Sequence, residues 1–241
     1  MSRKIRISIV TVCYNSHHSI ERTIQSVLRQ TYDDIEYIIM DGGSTDGTVD
    51  IIEKYSSDII WSSENDNGIY DAMNKAMAVA TGDYLLFLGS DDVLYSDETI
   101  GKICVELTHP DDVYYGNVII TGKGRISTGR FNRYKMAVVN ICHQAILYPR
   151  SVYRERRYDL RFTVYADYAY NLALIGSSIR FRYVNTIVSV YNTEGFSLYT
   201  VDQAWQEAKP VIVRETLGYG PFLLLKFYSA YRRMIRHLFR L

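Results

Sequence analysis

The chain has 241 residues, with 27 basic and 27 acidic groups, so its formal net charge is zero. Apolar residues make up 47% and charged residues 22%, the balance of a globular protein, which excludes disorder, collagen and coiled coil. The neutrality is uneven: 8 basic groups face 20 acidic ones in residues 1–120 (−12), 14 face 7 in residues 121–216 (+7), and 5 face none in residues 217–241 (+5). Such a partition suits an anion or metal–anion complex handled between the halves, and solvated surface accounts for the counts equally well.

The three cysteines, Cys13, Cys104 and Cys142, are odd in number and widely spaced. That excludes a disulfide framework and a thiolate zinc site and fits a reducing cytosol. No signal peptide is expected at the N-terminus, and no apolar run is long enough to span a bilayer. The expected location is therefore cytoplasmic.

In chain order, Ile5–Cys13 reads as a buried strand and Ser16–Gln30 as a helix, with Ile20, Ile24, Val27 and Leu28 on one face. Ile35–Met40 is a second buried strand. The cluster Asp41-Gly42-Gly43-Ser44-Thr45-Asp46-Gly47-Thr48 is a turn delivering a helix over Val49–Tyr55. Ile59–Trp61 is a short strand, Gly68–Ala80 a helix and Tyr84–Leu88 a fourth buried strand, ending at Gly89-Ser90-Asp91-Asp92. Alternation of this kind implies right-handed crossovers, a mainly parallel sheet and ligands at the carboxyl ends of its strands. The second half is less regular. Val113–Thr121 reads as a strand, with Gly122-Lys123-Gly124 turning into Arg125–Thr128. Residues 141–149 and 186–192 read as strands, and 166–175 and 201–216 as helices.

Carboxylates at strand ends carry the chemistry. Adjacent Asp91 and Asp92 at a buried edge repel each other unless a cation or hydrogen-bond donors satisfy them. Paired oxygen ligands suit Mg²⁺ or Mn²⁺, which also hold substrate phosphates; a turn or helix cap is the plainer alternative. Asp41 ends the preceding strand and can accept N–H groups of a base or O–H groups of a ribose, or serve as a turn aspartate. Neither a dinucleotide fingerprint nor a P-loop is present. Together these features point to a nucleotide whose diphosphate is neutralised by a metal ion.

Four segments in order, Ser8-Ile9-Val10-Thr11-Val12-Cys13-Tyr14-Asn15, Ser26-Val27-Leu28-Arg29-Gln30-Thr31, Asp41–Thr48 and Ala80-Thr81-Gly82-Asp83-Tyr84 leading to Ser90-Asp91-Asp92, resemble glycosyltransferase family 2. The resemblance implies the GT-A fold: an α/β, Rossmann-like, mainly parallel sheet with a mixed acceptor-side half and a C-terminal helical tail. Its expected division is a nucleotide-sugar half over 1–120, an acceptor half over 121–216, and a basic amphipathic helix over 217–241. The stretch Glu64-Asn65-Asp66-Asn67-Gly68-Ile69-Tyr70-Asp71-Ala72-Met73-Asn74-Lys75 is similar to the subgroup that builds bacterial exopolysaccharides and O-antigens.

The family implies inverting transfer from a nucleotide-sugar donor, a UDP-sugar, to a saccharide or lipid-linked acceptor, with no nucleic-acid partner. It places Thr11, Val12 and Tyr14 on the base, and Asp41 on the uracil ring. Asp71 and Asn74 fall on the nucleotide-sugar side, Asp91 on the ribose or sugar, and Asp92 on the metal. Where many relatives carry Asp two residues before the pair, this chain has Gly89.

The general base must come from the second half, where Glu155, Asp159, Asp167, Glu194, Asp202, Glu207 and Glu215 are the candidates. Asp167, at the start of a predicted helix, resembles the family's acidic residue facing the acceptor, with Ala166 where an acid often stands. It could instead cap its helix. His143 and Gln144 are candidates for acceptor or phosphate contact. In the tail, Lys226, Arg232, Arg233, Arg236 and Arg240 interleave with aromatic and aliphatic residues, which suits the inner face of an anionic membrane. The alternative is packing on the domain or on a second copy in a homodimer. Outside the family reading, a sugar nucleotidyltransferase also sets carboxylates at strand ends, and a degenerate nucleotide-binding module would keep the fold without the reaction.

Overall fold

The computed structural model describes residues 4–121, 125–127, 129–192 and 200–239. Among the described residues nine strands form a single sheet in the order β3-β2-β1-β4-β8-β6-β9-β5, with β7 paired to β6. They are β1 (Ile7–Cys13), β2 (Ile35–Asp41), β3 (Ile60–Ser63), β4 (Tyr84–Phe87), β5 (Val93–Leu94), β6 (Val113–Ile120), β7 (Arg125–Ser127), β8 (Ile146–Pro149) and β9 (Phe181–Tyr191). The helices are α1 (Ile20–Leu28), α2 (Thr48–Glu53), α3 (Ile69–Val79), α4 (Thr99–Cys104), α5 (Arg133–Val138), α6 (Arg150–Tyr153), α7 (Ala166–Gly176), α8 (Gln203–Leu217) and α9 (Tyr219–Phe239).

β1 and β2 are mostly apolar and buried along nearly their whole length because both faces of the sheet are covered. Residues alternate between two cores. Val10, Val12, Ile38 and Met40 join the core under α3, α5 and α7, whereas Ile7, Ile9, Tyr37 and Ile39 join the one under α1, α2 and α4. β1 pairs in parallel with both β2 and β4, so chain order reverses at β1, and β3 extends β2 in parallel. Such a switch opens a crevice at the carboxyl edge. The long ladders β1–β2 and β6–β9, seven register pairs each, are parallel; the ladders of β8, β7 and β5 are antiparallel and hold two or three. The parallel Rossmann-like half and the mixed second half are therefore both present.

Three expectations change in detail. Residues 141–149 begin with a turn of 3₁₀ helix over His143–Ala145 before β8. The final strand starts at Phe181, five residues before the expected 186. α4, α5 and α6 are helices of four to six residues, too short for an apolar period to show. The turn 122–124 lies outside the described residues.

Candidate active site

The site assembles at the carboxyl edge of β1, β2 and β4. Asn15, just past β1, has a left-handed backbone (φ 50°), a conformation non-glycine residues adopt only when their surroundings hold them there. Here its N–H donates to Ser44 Oγ (2.8 Å) and its Oδ1 accepts from the Thr45 N–H (3.0 Å). The loops after β1 and β2 are thereby locked together. The third loop is tied to α1: Thr23 Oγ1 lies 3.0 Å from the Ser90 carbonyl and 2.7 Å from that of Asp92, and Arg22 reaches the Asp91 carbonyl at 3.0 Å.

Asp41 is buried and heavily engaged. Its carboxylate accepts from Gly43 N (3.0 Å), Ser44 N (2.9 Å), Ser44 Oγ (2.5 Å) and Ser63 Oγ (2.7 Å). Burial alone would raise its pKa, but these donors hold it below the ordinary aspartate value. It stays ionised while organising the turn. Residues 65 and 66 lie over that turn: a Cβ at Gly42 would come within 2.6 Å of Asp66 Oδ2, and one at Gly43 within 2.3 Å of Asn65 Oδ1.

Asp92 presents the opposite environment. It is 1% exposed. Oδ1 accepts from the Asn192 N–H at 2.8 Å, brought there by the β5–β9 ladder. Oδ2 is buried and, among the described residues, has no hydrogen-bond partner. Burial, with the neighbouring charge of Asp91, pushes its pKa up to about 6. Asp91, half-buried, is raised in the same direction by burial. An orphaned carboxylate oxygen on a buried acid is the donor a hard divalent cation takes. Among the described residues no three His, Cys, Asp or Glu gather into a cage. Asp92, with Asp91 beside it, could hold such an ion. Gly89 belongs to this cradle, because a Cβ there would sit 2.6 Å from Asp92 Oδ2 and 3.3 Å from Asp91 Oδ1.

Asp167 opens α7 and is buried. Its Oδ1 accepts from its neighbour's N–H, Tyr168 (2.8 Å), and lies 3.1 Å from Tyr70 Oη; its Oδ2 accepts from Asn140 Nδ2 at 2.7 Å. His143 Nδ1 stands 3.6 Å from the same Oδ2. His143 also acts electrostatically on Asp91 and Asp92, and Cys142 feels both Asp167 and Asp92. The Cys142–His143–Gln144 turn is thus the bridge between the carboxylates of the two halves. Ala166 is fully buried in the core, where a carboxylate would be stranded.

The other base candidates are engaged or remote. Asp202 caps α8 and accepts from the N–H groups of Val164 and Tyr165. Asp159 pairs with Arg161 at 2.6 Å. Glu207 holds Gln203 at 3.0 Å, and Glu155 and Glu215 are exposed. Glu194 lies outside the described residues.

Two of the expected nucleotide contacts are engaged within the protein. Thr11 is wholly buried with its hydroxyl 3.0 Å from Tyr37 Oη; its side chain points into the core, so it supports the loop rather than touching a base. Asn74 uses both amide atoms on the backbone of Tyr158 (2.8 and 3.0 Å), which ties α3 to the segment before α7. Val12 is 7% exposed, Tyr14 is 62% exposed at the crevice edge, and Asp71 accepts from Asn67 N at 3.0 Å near Lys75. Gln144 is buried beside Asp92. Asn140, Tyr70 and Asn192 were not foreseen. Tyr70 lies inside the quoted 64–75 segment, but no spacing rule marks Asn140 or Asn192.

Comparison with known proteins decides the family. The description "Glycosyl transferase family 2" matches residues 8–177, which span Asp41, Asp91, Asp92 and Asp167. The chain belongs to glycosyl transferase family 2. It is 34% identical over 217 residues to the PGL/p-HBAD biosynthesis glycosyltransferase of Mycobacterium tuberculosis, covering 86% of this chain and 85% of that one. It is 28% identical to the Escherichia coli UDP-Glc:alpha-D-GlcNAc-diphosphoundecaprenol beta-1,3-glucosyltransferase WfaP, over 97% and 96% of the two chains. The fold superposes on S. aureus TarS 1–349 in complex with UDP-GlcNAc with a TM-score of 0.71 at 18% identity, covering 88% of this chain and 66% of that one. It spans 43% of the longer TarS chain. A Pyrobaculum calidifontis mannosyltransferase in complex with GDP-Man and Mn²⁺ superposes with a TM-score of 0.66 at 16% identity, over 95% and 74%. This family 2 chain is a glycosyltransferase with the GT-A architecture, related to enzymes of bacterial glycan and glycolipid synthesis.

Proposed function

We propose that the enzyme is an inverting, metal-dependent transferase that moves a sugar from a UDP-sugar to a hydroxyl of a saccharide or lipid-linked acceptor. The carrying observation is His143 Nδ1 at 3.6 Å from Asp167 Oδ2, on the same short turn as Gln144, which is buried beside Asp92. Residues 1–120 act as the nucleotide-sugar half and 121–216 as the acceptor half. In this reading Tyr14, Val12 and the Asp41 turn form the base side, Asp71 and Asp91 face the ribose or sugar, and Asp92 Oδ2 holds Mn²⁺ or Mg²⁺. When bound, that ion offsets charge on the departing diphosphate.

Asp167 takes the proton of the acceptor hydroxyl as its oxygen bonds to the anomeric carbon. The bond from that carbon to the diphosphate oxygen breaks on the opposite face, and UDP leaves. Asn140 and Tyr70 keep the carboxylate aimed; His143 lies where acceptor and diphosphate meet. The alpha-D-GlcNAc-diphosphoundecaprenol in the name of WfaP supports a lipid-linked acceptor, and with it a working position on the inner face of the cytoplasmic membrane.

The experiment is release of UDP from a panel of UDP-sugars with Mn²⁺ and an acceptor extract, using Asp92→Ala and Asp167→Asn as controls. Transfer should fall at least a hundredfold in both variants. Near-normal transfer by folded Asp167→Asn would overturn the base assignment. Pyrophosphate release from a nucleoside triphosphate and a sugar phosphate would point instead to nucleotidyl transfer.

A further inference from the structure

α9 is two-sided. Pro221 and Leu225 are buried, and half-buried Phe222 packs on the same core, so the first turns sit on α5 and α8. Leu223, Phe227, Tyr231 and Met234 follow at spacings of four, four and three, which places them on one stripe. They are 40%, 73%, 57% and 52% exposed. Leu224 and Tyr228 widen the stripe, and among the described residues nothing covers it.

Cations border it. Lys226, Arg232 and Arg233 are exposed, and residues 217–241 contain no acid. Arg232 lies over the Tyr228 ring, 5.9 Å from its centroid, and α9 packs on α8. There Lys209 is half-buried, its ammonium 4.5 Å from the Tyr168 ring centroid and 5.8 Å from that of Trp205. Burial, with the charge of Arg232, pushes Lys209 down to about 8. Among the described residues neither cation has a carboxylate within ion-pair distance. A half-buried ammonium set against two rings with no carboxylate partner suits an anion.

We infer that α9 docks on an anionic phospholipid bilayer, its apolar stripe entering the headgroup boundary while the cations that border it, with Lys209, meet the lipid phosphates. No described helix is long and apolar enough to cross a membrane, so α9 lies on the surface rather than through it. A second copy fits worse, because two +5 tails would be brought together with no acid between them. The purpose of the docking, delivery of a lipid-linked acceptor, rests on the function proposed above; the docking itself needs no substrate.

The test is co-sedimentation of the full chain with vesicles of phosphatidylcholine alone or with about a third phosphatidylglycerol, together with the mass in solution by light scattering. Binding should be roughly tenfold or more stronger on the anionic vesicles. Phe227→Ser with Tyr231→Ser should weaken it by roughly tenfold, and Lys209→Gln or Arg232→Gln by roughly fivefold on anionic vesicles only. Transfer to a soluble acceptor should be unchanged in the stripe variant. Equal binding to both vesicles, or stripe-variant binding equal to wild type, would sink the proposal. So would a dimer that dissociates in the stripe variant without any vesicle binding. Failure to release UDP from any donor, with vesicle binding intact, would refute the transfer reading and leave the docking standing.

Discussion

Asn140 donates its side-chain amide to Asp167 Oδ2 at 2.7 Å, and its own Oδ1 accepts from Asn171 Nδ2 at 3.1 Å. Asn171 is fully buried and its Oδ1 is held by Tyr148 Oη at 2.8 Å. A chain of neutral amides therefore runs from the core to the carboxylate and fixes its rotamer without neutralising it. Asn140→Ala should lower kcat by roughly tenfold to a hundredfold, equivalent to about 1–3 kcal/mol, with KM for the donor little changed. Steady-state kinetics check this; a loss confined to donor KM would show that the chain serves binding instead.

Asp92 makes metal-free stability sensitive to pH. Its pKa is raised to about 6 from an ordinary 3.8, so the folded state binds the proton more tightly than the unfolded one. The associated stability is full below pH 3.8 and lost between 3.8 and about 6. At pH 7.5 the ionised group costs roughly 2–3 kcal/mol. Asp92→Asn should raise the metal-free Tm by several degrees at that pH, since Oδ1 can still accept from Asn192. Mn²⁺ should raise the wild-type Tm and leave the variant's unchanged. Calorimetry with and without the ion decides the matter.

Gly89 is required by space rather than by backbone conformation. A methyl group there would meet Asp92 Oδ2 at 2.6 Å, and Asp92 cannot swing away freely because Oδ1 is anchored. Gly89→Ala should weaken Mn²⁺ binding by roughly tenfold and change Tm by no more than a few degrees. Titration calorimetry reads the first and a thermal melt the second. Unchanged affinity would mean that Asp92 is not the ligand.

Glu36 is a structural carboxylate. It accepts from Ser8 Oγ (2.5 Å), Thr81 N (2.7 Å) and Thr81 Oγ1 (2.6 Å), beside Arg6. Burial raises its pKa, but these partners hold it below the ordinary 4.5. A depressed acid contributes stability above 4.5 that is lost as pH falls through its lower folded value. Glu36→Gln should cost about 1–3 kcal/mol at pH 7 and flatten the acid limb of the stability curve. Urea melts across pH 3–7 would show it.

The strand–helix alternation of residues 5–88 was legible in the sequence because buried parallel strands are near-continuous apolar runs and their helices carry a clear 3.6-residue period. So were Asp41, Asp91 and Asp92, since turn residues after such strands can only fall at the carboxyl edge. Asp167 was legible as a helix-start acid. What remained hidden depends on contacts between segments far apart in the chain. Thr11 and Val12 are adjacent, and only the pleat decides that one hydroxyl meets Tyr37 while its neighbour faces the other core. Asn140, Asn192 and Tyr70 act on carboxylates 27, 100 and 97 residues away. Sequence fixed which chemical groups stand at the strand ends, because local period and turn chemistry are written residue by residue. Tertiary packing alone decided their charge states and partners: it stranded one oxygen of Asp92 without a donor, filled the lone pairs of Asp41, and set Lys209 against the rings of Tyr168 and Trp205.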